Sequence, residues 1–507
     1  MPAATSFFRY ICIISISLLM SISNLTSQDK LRWAADAEGN APYIFQDPKI
    51  PSENIGFEVD IAKALADELG MDPFFVQNQW DGLIPGLYRG DYDMAINGLE
   101  ITEDRKNEVL FSIPYYLTYE QLVVPKYEND IKSLADLVGK KAGALKNSLA
   151  ERILRAKGGI NVLSFEGEVN ALTAMKHGRI DAVLVDAPIA LYYASWDPEL
   201  KLVGQPIGEI EYGIALRKDD TLMLEKVNNA LKRLGNDGTL RRVYEEWNLW
   251  NHMMAMFLDD KTESNTMPVK YKEYLETKGK QAGIEELVER YLGWMPEIIK
   301  AAGMTLVISI LSMILAIIVG LWIALTRVYA PSPISLLAVG YIELIRGTPL
   351  LIQIYFIFYA LPSLGVKIEP VIAGVVSLGL NYAAYEAENY RAGLFSVPKG
   401  QMEAAISLGM TRTQALRHVV IPQAVRLVIP PVTNDFISLL KDSSLVSLIT
   451  IVELTKTYYQ ISSMYFDFII PGIIIAVMYL LLGIPFVKLS KWAESKFSKD
   501  QPKAKTV

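Results

Sequence analysis

Two uncharged runs set the first constraint on this chain. Met304 to Leu325 continues for 22 residues without a charge and Phe468 to Val487 for 20. Each is long enough for a helix to cross the ~30 Å hydrocarbon layer of a bilayer. Lipid offers no hydrogen-bond partner to the backbone, so such runs fold as helices. Three less clean apolar stretches lie between them, at about 334–361, 371–390 and 429–455. They carry Glu343, Arg346, Glu386, Glu388, Asp435, Lys441 and Asp442. Ionisable groups at membrane depth face a bundle interior or water, and the expectation is five spans. Charge placement agrees with an odd number. Arg327, the loop with Arg391, Lys399, Arg412, Arg417 and Arg426, and six lysines after Val487 fall on one side. The connection between spans two and three has only Lys367.

The first half reads differently. At 507 residues the chain is too long for one ordinary domain, and its apolar residues crowd the second half. Residues 1–27 are expected to be a secretory signal, with Arg9 before an apolar core from Tyr10 to Ile22 and small residues after it. The single cysteine, Cys12, lies in that leader, so no disulfide is expected in the mature chain. Three histidines, His177, His252 and His418, give no metal cluster. A net charge of −7 gives no sign of a nucleic-acid partner. From Leu31 strand-like and helix-like segments alternate: Leu31–Ala35, Gly56–Leu69, Phe74–Val76, Trp80–Pro85 and Asp93–Ile96. That alternation predicts parallel sheets flanked by helices. Residues 251–293 are charged and helical in pattern, and are expected to be a linker.

The stretch Asn381 to Pro431 is the most specific in the chain. It contains Glu403-Ala404-Ala405, then Gly409, then Val419-Val420-Ile421-Pro422, flanked by Pro398-Lys399-Gly400-Gln401. It resembles the cytoplasmic "EAA" loop of membrane subunits of bacterial ABC importers, in their polar amino-acid branch. Tyr341 to Leu350, Asn434-Asp435-Phe436 and Lys441 to Leu445 resemble the same branch. Physically, a short helix to Leu408, a turn at Gly409 and a second helix over Thr411–Val419 ended by Pro422 would make a knob for a groove on a soluble partner. The loop is placed at 396–422. Gly347 and Pro349 are expected to break the second span. The resemblance marks Arg346, Glu388 and Arg391 as candidates for the translocation pathway.

Residues 31–250 resemble the periplasmic amino-acid-binding proteins. The matches are Gly56-Phe57-Glu58-Val59-Asp60, Trp80 to Pro85, Gly98-Leu99-Glu100-Ile101-Thr102 with Arg105, and Phe111 to Tyr116. The resemblance implies two lobes around a cleft, with crossings expected near 124–127 and 212–216. It assigns Arg105 to a ligand α-carboxylate, Asp186 to the α-ammonium, and Gly98 and Ser148 to amides and a hydroxyl completing the carboxylate site. Tyr43 and Trp80 match aromatics beside the ligand, and Asp36 a reader of its head group. Glu100 stands where the family usually has Ser or Thr, and Asn40 about where an aromatic is common. Two acids make the cleft acidic, which favours a polar or cationic amino acid, or a derivative carrying a cation.

The expected fold is therefore an α/β two-lobed periplasmic-binding-protein fold (28–250), the linker, and an all-α five-helix ABC importer transmembrane domain (294–490). A cytoplasmic tail (491–507) follows. No Gly-x4-Gly-Lys-Ser/Thr phosphate loop occurs. The resemblance accordingly implies a separate ATPase that binds ATP and magnesium, and two copies of the membrane domain in lipid. The chain itself is expected to be neither an enzyme nor a cofactor binder. An amino-acid-gated channel or an enzyme on the binding fold are the rival readings. Neither accounts for Glu403 to Pro422.

Overall fold

The computed structural model describes residues 30–38, 41–260, 262, 266–278 and 283–497. The leader, Asn40 and the end of the tail lie outside them. Two five-stranded sheets organise the first half. The strands are β1 (Lys30–Ala35), β2 (Asp72–Gln77), β3 (Met94–Ala95), β4 (Leu110–Phe111), β5 (Tyr116–Pro125), β6 (Lys141–Leu145), β7 (Asn161–Phe165), β8 (Ala182–Asp186), β9 (Leu200–Tyr212) and β10 (Ala215–Leu216). The first sheet runs β2-β1-β3-β10-β4 and the second β9-β5-β8-β6-β7. Parallel pairing of β1 with β2 and β3, and of β6 with β7 and β8, follows from the helices between them.

The chain leaves the first sheet after β4 and enters the second at Tyr116, so the first crossing lies between 111 and 116. This corrects the position expected near 124–127. Leu122, Val123 and Val124 are fully buried inside lobe two rather than at a hinge. The long pairing of β5 with β9, from Tyr116↔Tyr212 to Pro125↔Leu200, takes that whole segment into the sheet. The return falls between Tyr212 and Ala215.

The described residues of the connecting segment expected at 251–293 are helical, at His252–Phe257, Val269–Lys278 and Ile284–Gly293, and they pack against their neighbours. Met254 is fully buried and its Sδ accepts from the Leu117 N–H at 3.1 Å. On the helix Val269–Lys278, Lys270 pairs with Asp60 at 2.6 Å, and the Tyr274 hydroxyl donates to the Tyr192 carbonyl at 2.9 Å. That helix touches both lobes. The next, Ile284–Gly293, already belongs to the membrane half, where the Tyr291 hydroxyl donates to Asp467 Oδ2 at 2.5 Å.

Among the described residues, two helices of the second half are long and apolar enough to cross a membrane, Met295–Tyr329 and Ile469–Trp492. Ser332–Arg346 and Leu350–Ala360 form a pair bent by 107°, and the bend holds Gly347 and Pro349. Pro370–Ser396 and Ile421–Asp442 complete the bundle. Trp322, Ile318 and Leu480 are exposed, a cost in water that lipid removes. Inside, Gly320 lets the first helix approach Pro370–Ser396: a Cβ there would lie 2.7 Å from Glu386 Cβ and 2.9 Å from the Ala383 carbonyl.

Candidate functional site

The lobes enclose a cavity of about 950 Å³ bordered by Asp36, Tyr43, Trp80, Gly98, Glu100, Ser148 and Asp186. Asp36 follows β1, Gly98 and Glu100 follow β3, Ser148 follows β6, and Asp186 ends β8. All stand at the carboxyl ends of parallel strands, where open α/β sheets leave a crevice. The lobes meet across it. Lys146 of lobe two pairs with Asp81 of lobe one at 2.9 Å, the Asn147 amide donates to Asp81 at 2.9 Å, and the Ala41 N–H donates to the Tyr193 hydroxyl at 2.9 Å.

Arg105 is the predicted residue that does not border the cavity. It stays buried, with its guanidinium ion-paired to the Glu100 carboxylate and donating to the Asn147 carbonyl at 3.2 Å, above the Trp80 ring. The other Glu100 oxygen accepts from the Leu149 N–H at 2.9 Å, at the start of the helix Leu149–Lys157. Sequence reasoning expected Glu100 to add negative charge to the cleft; the structure instead turns it onto Arg105.

Gly98 and Ser148 border the cavity with their polar groups already engaged inside the chain. The Gly98 N–H donates to Glu58 Oε1 at 2.7 Å, behind the cavity. The Ser148 hydroxyl caps its helix, accepting from the Glu151 N–H and donating to the Leu145 carbonyl at 2.7 Å. Asp36 is held by the Trp80 N–H at 3.0 Å and the Gln77 amide at 3.2 Å. Tyr43 and Tyr212 both donate to Asp186 Oδ2.

Two acids that the motifs did not mark, Glu120 and Glu168, lie beside Asp186. Glu120 lies opposite it on the neighbouring strand β5 and is fully buried, with its carboxyl hydrogen-bonded to Asp186. Burial, then Asp186 and Glu100, drives its pKa well above the usual range. Burial first, and the neighbouring acids second, push Glu168 up to about 8 and Asp186 up to about 6. Glu120 was visible in the sequence as one acid inside the otherwise uncharged strand Tyr116–Pro125. Glu38 also borders the cavity and pairs with Lys456 of the membrane half, itself fully buried. Nothing local announces that pair.

Tyr355, Tyr359, Leu448 and Tyr459 of the membrane half close the same cavity. Lobe one also seats Arg89 over the Phe358 ring at 4.2 Å, and Lys367 pairs with Asp91 at 3.5 Å. Glu388 bridges Arg391, at 2.8 Å, and Arg327, while Arg346 lies over the Tyr385 ring. These three pathway candidates are thus engaged in pairs within the bundle, and none borders the cavity. The loop at the far end folds as the helix Lys399–Ser407, a turn at Gly409 with φ +89°, and Arg412–Ala415 under a Thr411/Gln414 capping box. Glu403, Ala404 and Gly409 are exposed and Ala405 is buried. Pro422 does not end that second helix. It sits in the first turn of Ile421–Asp442, where its missing N–H costs nothing, and a wide turn at Leu416–Val420 joins the two.

Comparison with known proteins separates the same two halves. Residues 31–249 match the bacterial extracellular solute-binding proteins, family 3, and residues 316–499 the binding-protein-dependent transport system inner membrane component. The L-cystine transport system permease protein TcyB of Bacillus subtilis (strain 168) is 42% identical over 163 residues, covering 32% of this chain and 70% of the relative. ABC transporter arginine-binding protein 1 of Escherichia coli (strain K12) is 31% identical over 202 residues, 39% of this chain and 82% of the relative. A solved ancestral arginine-binding protein bound to glutamine is 38% identical, covers 44% of this chain and 99% of its own, and has a TM-score of 0.42.

Proposed function

The chain belongs to the amino-acid ABC importers, as a solute-binding domain fused to an inner-membrane permease domain, and we propose that it captures a polar or cationic amino acid, or a derivative carrying a cation, outside the cytoplasm and passes it inward on power from a separate ATPase. The observation that carries this reading is one cavity bordered by both halves. A ligand released from the cleft would meet Tyr355, Tyr359 and Tyr459 without returning to bulk water.

In this reading the exposed loop around Glu403 and Gly409 docks on the ATPase, which holds the ATP and magnesium. Two copies of the chain pair through five spans each in the lipid. The contacts of lobe one with Lys367 and Phe358 support an outside position for the binding domain, because that end is opposite the basic loop. The test is reconstitution of the full chain with an ABC ATPase in proteoliposomes. ATP-dependent accumulation of an amino acid or an amino-acid-derived cation is expected, with two copies of this chain in the assembled complex. Ion current without the ATPase, or turnover of the bound compound, would overturn the proposal.

A further inference from the structure

Around the cavity, carboxylates and cations are in very different states. Seven acidic side chains border it and two basic ones, Arg89 and Lys146. Both bases already have acids: Arg89 pairs with Asp91 at 2.7 Å, and Lys146 with Asp81 and Glu166. Arg105, the third nearby cation, is covered by Glu100. Among the described residues, no lysine or arginine is paired with Asp186, Glu120 or Glu168. The cavity therefore offers acidic side chains with no cationic partner, and no positive charge that is not already matched.

Glu100 is also fixed in place. Its backbone bridges Tyr212 on the crossing strand, the Ile101 N–H donates to the Glu211 carbonyl at 2.8 Å, and the Gly213 N–H donates to the Leu99 carbonyl at 3.0 Å. Its side chain is 3% exposed and ties lobe one, through Arg105, to the first N–H of a lobe-two helix. A guanidinium on one oxygen and a helix N-terminal amide on the other is the environment a bound carboxylate would seek. Here the protein's own carboxylate fills it. Displacing Glu100 would strand a buried charge to make room for an external one.

We propose that Glu100 is a built-in occupant of the carboxylate position, and that the cleft takes an organic cation with no free carboxylate at that end: an amine or guanidine derived from an amino acid by loss or masking of its α-carboxylate. The cationic group sits against Asp186, with Glu120 and Glu168 behind it, and the Tyr43 and Tyr212 hydroxyls orient the acceptor oxygen. This rests on the reading of the cleft as the ligand site of an importer, and refines which ligand it holds.

The test is calorimetric titration of the full chain in lipid nanodiscs with matched pairs: arginine against agmatine, lysine against cadaverine, and arginine against arginine amide. The compound without the carboxylate is expected to bind at least about tenfold tighter in each pair. Glu100→Ser should shrink or reverse the preference by opening Arg105 to the cavity, and Glu100→Gln, which keeps the size, should shrink it less. Equal or tighter binding of the parent amino acids by the unaltered chain overturns the proposal, and so does failure of every cation to bind. The importer reading is scored separately, by ATP-dependent uptake into vesicles. Uptake of parent amino acids alone would sink this inference and leave that reading intact. Tight binding of the cations without ATP-dependent uptake of anything would do the reverse.

Discussion

The binding cleft and the loop around Gly409 lie at opposite ends of the molecule and solve opposite problems. In the cleft Glu100 is 2% exposed and Arg105 9%, and each finds its partner inside the chain. In the loop Leu408 is 82% exposed, beside a glycine whose Cβ position has nothing within 4 Å. A buried ion needs its counter-ion at once, because desolvation otherwise disfavours its charged form. An exposed leucine on a short helix end carries a smaller cost and can wait for another chain to cover it. The cleft is thus selective by what it has already matched, and the loop is available by what it has left unmatched. Changes in the cleft should alter which ligand binds. Changes in the loop should alter whether transport follows.

The largest effect is expected where the loop is least replaceable. Gly409 has φ +89°, a region proline cannot enter, and its N–H donates to the Ile406 carbonyl at 2.9 Å. Gly409→Pro should lower coupled uptake by about tenfold or more while leaving ligand affinity within about twofold, because strain of ~1–3 kcal/mol falls on the docking turn alone. Uptake assays beside calorimetry on the same preparation check this. Normal coupled uptake would erase the division between the two ends.

A smaller effect is expected from the pair that joins the halves. Lys456 is fully buried against Glu38, whose side chain is 19% exposed. Removing one partner of a buried pair costs ~3–5 kcal/mol, and water at Glu38 places this case toward the lower end. Lys456→Met should therefore lower the unfolding midpoint of the full chain, and adding Glu38→Gln should recover most of the loss. If the double variant is no better than the single one, the lysine acts through packing and not through charge.

What the sequence disclosed follows the range of the interactions involved. Asp36, Tyr43, Trp80, Gly98, Glu100, Ser148 and Asp186 meet at one cavity because motif spacing fixes strand ends, and strand ends fix the crevice. The state of those residues was less legible. That Glu100 departs from the family pattern is plain in the sequence, but its turn onto Arg105 depends on a lobe-two amide at Leu149. The first crossing was misplaced because Leu122 to Val124 reads equally well as a strand end or a hinge until the pairing with β9 is known. The packing of Val269–Lys278 was hidden because Tyr274 finds its partners, Phe45 and Tyr192, 229 and 82 positions away. Lys456 and Glu38 are farther apart still.

The smallest effect is expected just behind the cleft, at Glu58, and it tests whether the self-matching of this region extends to protons. Glu58 is fully buried; Oε1 accepts from the Gly98 N–H at 2.7 Å and from the Tyr115 hydroxyl. Burial raises its pKa from 4.5 to about 8, more than those hydrogen bonds lower it. The folded chain then holds a proton that the unfolded chain lacks between those two values. Its stabilising contribution is complete below pH 4.5 and is lost as pH rises through 8. Glu58→Gln keeps the shape without the titration, so its thermal midpoint should fall less steeply from pH 5 to pH 9. Glu120, Glu168 and Asp186 are shifted in the same direction, so the measurement is the difference in slope between the two proteins. Parallel slopes would assign the proton to the cleft acids, and would mean that the region matches its charges on the ligand side only.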